Sequence, residues 1–166
     1  MLKGKNFLNY SNSQLTMLVI LRVIIGWHFL YEGIAKLINP NWSSVGFLID
    51  SKGFLSGLFY FLAGNPDILN VVDFLNIWGL IAIGLGLILG CFTRVAIISG
   101  IVLLSFYYLS HPPFVGLKYA TPSEGSYLLV NKMLIEIFSL VVLYFFPTGK
   151  IIGIDRLIFF SGKRYS

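Results

Sequence analysis

The 166-residue sequence contains a single cysteine, Cys91, which excludes an intrachain disulfide and any dithiol chemistry carried by this chain alone. Charge is nearly as scarce. Only 11% of residues are Asp, Glu, Lys or Arg, whereas 57% are hydrophobic and mean hydropathy is +0.83, values far from those of a soluble domain. The sequence has no glycine-rich phosphate loop, no haem-attachment motif and no convincing serine–histidine constellation. Its two histidines, His28 and His111, show no dense ligand spacing around them, so no metal site is expected. A pI near 9.4 raises the question of nucleic acid. The basic residues form no run among aromatics, however, and no nucleic-acid partner is expected.

Long apolar runs are what the sequence has in abundance. Four of them, at about 15–38, 74–90, 93–110 and 127–146, are candidate spans of a hydrocarbon layer about 30 Å thick. The expected fold is therefore all-α, an integral membrane four-helix bundle over 15–146 with a tail at each end, 1–14 and 147–166. Arg22 interrupts the first run and no small-x-small cleavage site follows it, so this segment reads as retained rather than as a signal peptide. With the N-terminus inside, Lys3, Lys5, Arg94, Lys150, Arg156, Lys163 and Arg164 fall on the cytoplasmic side, against Lys52 and Lys118 outside. That asymmetry places both termini in the cytoplasm and makes 147–166 an amphipathic tail along the inner surface. In the outer loop 39–73, the segment 54–63 (FLSGLFYFLA) is apolar but too short to cross. It is expected to form an interfacial or re-entrant helix between the first and second spans, ended by Asn65-Pro66. Gly86 and Gly90 give a small-xxx-small spacing suited to close helix approach.

The first span carries Arg22, His28, Glu32 and Lys36. At 100° per residue, with Arg22 at zero, Lys36, Glu32 and His28 fall at roughly 320°, 280° and 240°, on one stripe. An unscreened charge in hydrocarbon costs about 2.5–3.5 kcal/mol even on lenient insertion scales, so this stripe must face protein or a wet cavity. Arg22 lies near the inner face, where its long side chain is expected to snorkel; Lys36 has the same option outward. Descending from the outer side, Lys36, Glu32 and His28 lie roughly 3, 9 and 15 Å deep, and Asn131, Lys132 and Glu136 of the fourth span about 6, 8 and 14 Å deep. The levels match, so Glu32 is expected to face Lys132, and His28 to face Glu136. His111 closes the third span at the same surface, where it could equally be exposed. Glu32–Lys36 and Lys132–Glu136 are also i,i+4 pairs, and a purely structural role, fixing helix register, stays open beside a functional one.

The stretches RVIIGWHFLYEGIAKL, NPNW, LNIWGLIAIGLGLILGCFTR, YLSHPP, EGSYLLVNKMLIE and FPTGKIIGIDRL together resemble the DoxX family of small four-helix membrane proteins, over about Leu15 to Leu157. The long first outer loop and LVNKMLIE look most like its DoxD-like branch, the membrane subunit of thiosulfate:quinone oxidoreductase. The resemblance implies a multi-pass protein of the bacterial cytoplasmic (inner) membrane. In that position the chain would be a quinone-facing subunit, passing on electrons from thiosulfate or a related sulfur compound oxidised at the outer face. Quinone enters as a substrate, with no bound metal or haem expected. The implied partners are the lipid bilayer and either another subunit at the outer face or further copies of this chain. Within this reading Glu32, His28 and Glu136 are the catalytic candidates, as proton carriers near a quinone carbonyl. Lys36, Lys132, Asn131 and His111 are the substrate-binding candidates. The alternative is a non-catalytic membrane partner or assembly subunit whose polar belt only locks the bundle beneath an outer-face protein.

Overall fold

The computed structural model describes residues 10–114, 116–120 and 128–160. Seven α-helices follow in order: α1 Asn12–Leu37, α2 Val45–Ile49, α3 Ser56–Gly64, α4 Pro66–Leu89, α5 Thr93–Ser110, α6 Lys132–Phe145 and α7 Ile154–Phe160. A 3-10 turn, Thr148–Lys150, precedes α7, and among the described residues there is no strand.

Local chemistry sets the helix limits. At the start of α1, the Ser11 side chain accepts from Gln14 N while the Gln14 side chain accepts from Ser11 N, a reciprocal capping box. The second long helix begins at Pro66 and not near Phe74, where the apolar run starts. Asn65 accepts from Asp67 N and Ile68 N, and Pro66 needs no donor at the first position, so a polar turn nucleates the helix ahead of its apolar stretch. The non-spanning loop is correspondingly shorter than 39–73. Gly90, left-handed at φ 64°, closes α4. The fourth long helix starts at Lys132, later than the expected start near 127. Leu128 has φ 67°, which a helix cannot contain, and the Asn131 side-chain oxygen Oδ1 accepts from Leu134 N as an N-cap; Tyr127 itself lies outside the described residues.

Helices α1, α4 and α5 are long and apolar enough to cross a membrane. The 14 residues of α6 reach about 21 Å and complete the bundle. Helix α1 packs on α4, α4 on α5, α5 on α6, and α6 returns to α1, so direction alternates around a closed ring. Ile25 and Phe29 of α1, Leu80 and Leu87 of α4, Ile97 of α5 and Leu140 of α6 meet inside it. The outside is apolar too: Trp27, Tyr31 and Phe138 each keep more than 60% of their surface free within the chain, as lipid-facing positions must. The closest helix approach lies between α1 and α4, where a Cβ on Gly84 would sit 2.5 Å from Leu30 N. Gly86 and Gly90 do not form this contact; the seam runs through Gly26 and Gly84.

At the end of the bundle where α1 starts, here called the lower end, Arg22 does not snorkel to water. It is 2% exposed because residues 147–155 fold back across the base of the helices. Its guanidinium donates to the Ile152 carbonyl (2.8 Å) and the Thr148 hydroxyl (3.2 Å). Buried Asp155 accepts from Phe92 N (2.7 Å) and Thr93 N (3.0 Å), supplying the acceptor that the first turn of α5 otherwise lacks. Part of the presumed surface tail is thus a clasp that joins α1, α5 and the C-terminal turn.

At the upper end, α2, α3 and their connections form a cover rather than an independent membrane insert. The Ser44 amide and hydroxyl both donate to Asp73, two turns into α4. Lys52 N and the Ser51 hydroxyl donate to the Ser110 carbonyl at the end of α5, and Tyr60 donates to the Ser51 carbonyl. Pocketed between this cover and the four long helices is a cavity.

Candidate functional site

The cavity has a volume of about 810 Å³, within the range of small-molecule sites. His28, Glu32, Lys36, His111, Asn131, Lys132 and Glu136 all line it, so residues from α1, α6 and the end of α5 converge as depth matching predicts. Phe29, Phe47, Leu80, Leu104 and Met133 supply apolar wall.

One expected pairing forms. His28 Nδ1 lies 2.8 Å from Glu136 Oε1; Glu136 is buried, and a third of the His28 side chain remains accessible. Against an ionised carboxylate, which only accepts, Nδ1 is the donor of this contact. The carboxylate thus orients the imidazole and leaves Nε2 without a hydrogen bond among the described residues. Glu32 has a contact within its own helix: its Oε2 lies 4.0 Å from Lys36 Nζ, one turn along.

Lys36 is held inside rather than extended outward. Its ammonium donates to Asn76 Oδ1 (3.1 Å) and approaches the Tyr107 hydroxyl (3.5 Å), with the Trp42 ring centroid 5.2 Å away. Such a ring face attracts a cation. Asn131 spends its side-chain oxygen on the α6 cap, which makes it first a positioning residue for Lys132 and Glu136.

His111 is not exposed at the helix end. Its ring stacks on Phe47 at 4.0 Å and lies 4.6 Å from Tyr119; Nδ1 is 3.0 Å from the Ser110 hydroxyl and Nε2 is 3.7 Å from Asp50 Oδ2. His28 and His111 therefore face different carboxylates, and among the described residues no three metal-ligating side chains converge. Burial lowers the His111 pKa and nearby Lys52 adds to this, while Asp50 opposes it without cancelling it. A depressed pKa stabilises the docked cover above the ordinary histidine pKa near 6.5 and withdraws that stabilisation as pH falls below it toward the folded value. We expect amide exchange in 45–64, corrected for intrinsic rates, to be faster at pH 5 than at pH 7.5. His111→Phe should retain the stack and abolish that difference; equal protection at both pH values would contradict this assignment.

Tyr107 and Asn76 also line the cavity, and sequence reasoning singled out neither as a site residue. Tyr107 stands one turn before His111, hence on the same face, and within one turn of the end of α5, as Lys36 is within one turn of the end of α1. Its hydroxyl lies in the same outer layer as the titratable groups of the cavity.

An all-helical bundle with an apolar exterior and a polar cavity beneath a cover at one end defines a membrane protein with an intramembrane site. The DoxX family model matches residues 17–112, more than half of the chain, and the chain belongs to the DoxX family. Neither a curated protein nor a solved structure matches it. The matched region contains His28, Glu32, Lys36, Tyr107 and His111, whereas Asn131, Lys132 and Glu136 come from outside it.

Proposed function

We propose that this chain is the quinone-facing subunit of a membrane oxidoreductase that takes electrons from thiosulfate or a related sulfur compound. The observation that carries this reading is the cavity itself. Side chains used only to lock helices would close onto one another; here they surround about 810 Å³ of open volume. In this reading the cavity faces the outer side of a bacterial cytoplasmic membrane and both termini lie inside, an orientation supported by the positive-inside distribution of basic residues along the sequence. A sulfur-oxidising partner would dock over the cover at that face.

Reducing a quinone to a hydroquinone takes two electrons, supplied through the partner, and two protons at the ring oxygens. His28 Nε2 lines the route for one proton, with buried Glu136 holding the imidazole and stabilising its charged form when it is protonated. Glu32, half-exposed, can pass protons between water and the cavity. The ammonium of Lys36 offers electrostatic stabilisation to negative charge developing on a ring oxygen. Phe47, Phe29 and Trp42 provide flat apolar surface for the ring. Membranes that contain this chain, given thiosulfate and decylubiquinone, are expected to reduce the quinone, and matched membranes lacking the chain should not. Equal rates in the two would contradict the proposal.

A further inference from the structure

Two donors converge on a single oxygen at the upper end of the cavity. Lys36 Nζ lies 3.1 Å from Asn76 Oδ1 and 3.5 Å from the Tyr107 hydroxyl, and Asn76 Nδ2 lies 2.6 Å from that same hydroxyl. An ammonium can only donate, so the side of the Asn76 amide that faces it must be the carbonyl. The lysine thereby fixes the amide orientation, which is otherwise ambiguous between oxygen and nitrogen. The NH2 group then faces Tyr107, and it too can only donate. The Tyr107 oxygen is thus an acceptor twice over, and its own proton must go elsewhere. Among the described residues no acceptor takes that proton.

The ring that carries this hydroxyl is well fixed. Phe47 meets it edge-on at 5.5 Å and Lys36 lies 5.5 Å from its centroid. The residue lines the cavity. A hydroxyl proton in this part-buried position is unfavourable without an acceptor, and the cavity that the hydroxyl lines is the place from which an acceptor can come.

We infer that Tyr107 donates a hydrogen bond to an oxygen of the bound ligand, making it the residue that selects a carbonyl-bearing ring over a hydrocarbon of the same shape. This rests on the reading of the cavity as a quinone site and adds to it a specificity element. Asn76 and Lys36 act through Tyr107, by occupying its lone pairs and turning its proton toward the ligand. A site built to hydrogen-bond one substrate oxygen rejects the analogue lacking it, because its own donor is then left unpaired.

The test uses the full chain in lipid nanodiscs, with Trp27→Phe and Trp78→Phe so that cavity-lining Trp42 is the remaining tryptophan. Menadione binding is read by quenching of Trp42, and 2-methylnaphthalene, which has the same rings without oxygens, by its displacement of menadione. Tyr107→Phe is expected to weaken menadione about 10-fold and to leave 2-methylnaphthalene unchanged or bound more tightly. Unchanged menadione affinity in Tyr107→Phe would overturn the inference, as would equal loss for both probes, which marks a packing role for the ring. Absence of saturable quenching before Tyr107 is altered would overturn the quinone reading itself, and this inference with it.

Discussion

Glu136→Gln is expected to slow thiosulfate-dependent quinone reduction about 10²-fold, at the lower end of what a positioned acid–base group contributes, while changing menadione affinity far less. Glutamine keeps the volume and can still accept from His28 Nδ1, the contact now made at 2.8 Å, so the imidazole stays oriented. What is removed is the negative charge that stabilises the protonated ring. Binding and proton transfer are therefore separated by one substitution: an effect on turnover without a matching effect on Trp42 quenching identifies a proton carrier. Unaltered turnover would assign the His28–Glu136 pair to helix register alone. Glu136 is the better probe of the two because it is buried and cannot be replaced by water from the outer mouth, whereas His28 keeps a third of its side chain accessible.

The second large effect is on stability and lies at the opposite end of the molecule. Asp155→Ala is expected to destabilise the fold by about 3 kcal/mol, since Phe92 N and Thr93 N lose their acceptor together and each buried unsatisfied donor costs about 1–3 kcal/mol. Arg22 is affected as well, because Asp155 supplies negative charge in its field, and its remaining bonds to Ile152 and Thr148 depend on the same C-terminal turn. In a thermal unfolding experiment in detergent this corresponds to a midpoint lowered by roughly 10 °C. Asp155→Asn retains one good acceptor and should lose less. An Asp155→Ala midpoint equal to that of the unaltered chain would show that residues 147–155 are not a clasp.

The fold was readable in the sequence where a single strong force acts. Apolar runs long enough to cross hydrocarbon locate α1, α4 and α5, and the cost of intramembrane charge places His28, Glu32 and Lys36 on an inward stripe. Depth then joins α1 to α6, because rise per residue is constant in any helix. Errors arise where a local polar interaction competes with hydropathy. Asn65 and Pro66 start α4 well ahead of its apolar stretch, and the Asn131 cap together with left-handed Leu128 delays α6. Pairing geometry was less readable than convergence: the 4.0 Å approach of Glu32 to Lys36 on its own helix depends on rotamers and not on depth. The burial of Arg22 and His111 depends on segments remote in sequence, residues 147–155 and the α2 cover, which no local pattern connects to them. Tyr107 was overlooked because an uncharged hydroxyl in an apolar helix has no energetic signature until its neighbours are known.

The central claim is that polar groups from both ends of the chain enclose a ligand-holding space and not a closed lattice of ion pairs. An experimental structure of the full chain in native lipid, equilibrated with menadione, tests it most directly. A flat two-ring density is expected against Phe47, with one ring oxygen within hydrogen-bonding distance of the Tyr107 hydroxyl and the ring near His28. Side chains of His28, Glu32, Lys36 and Glu136 closed upon one another, with no room for a ring between them, would contradict it.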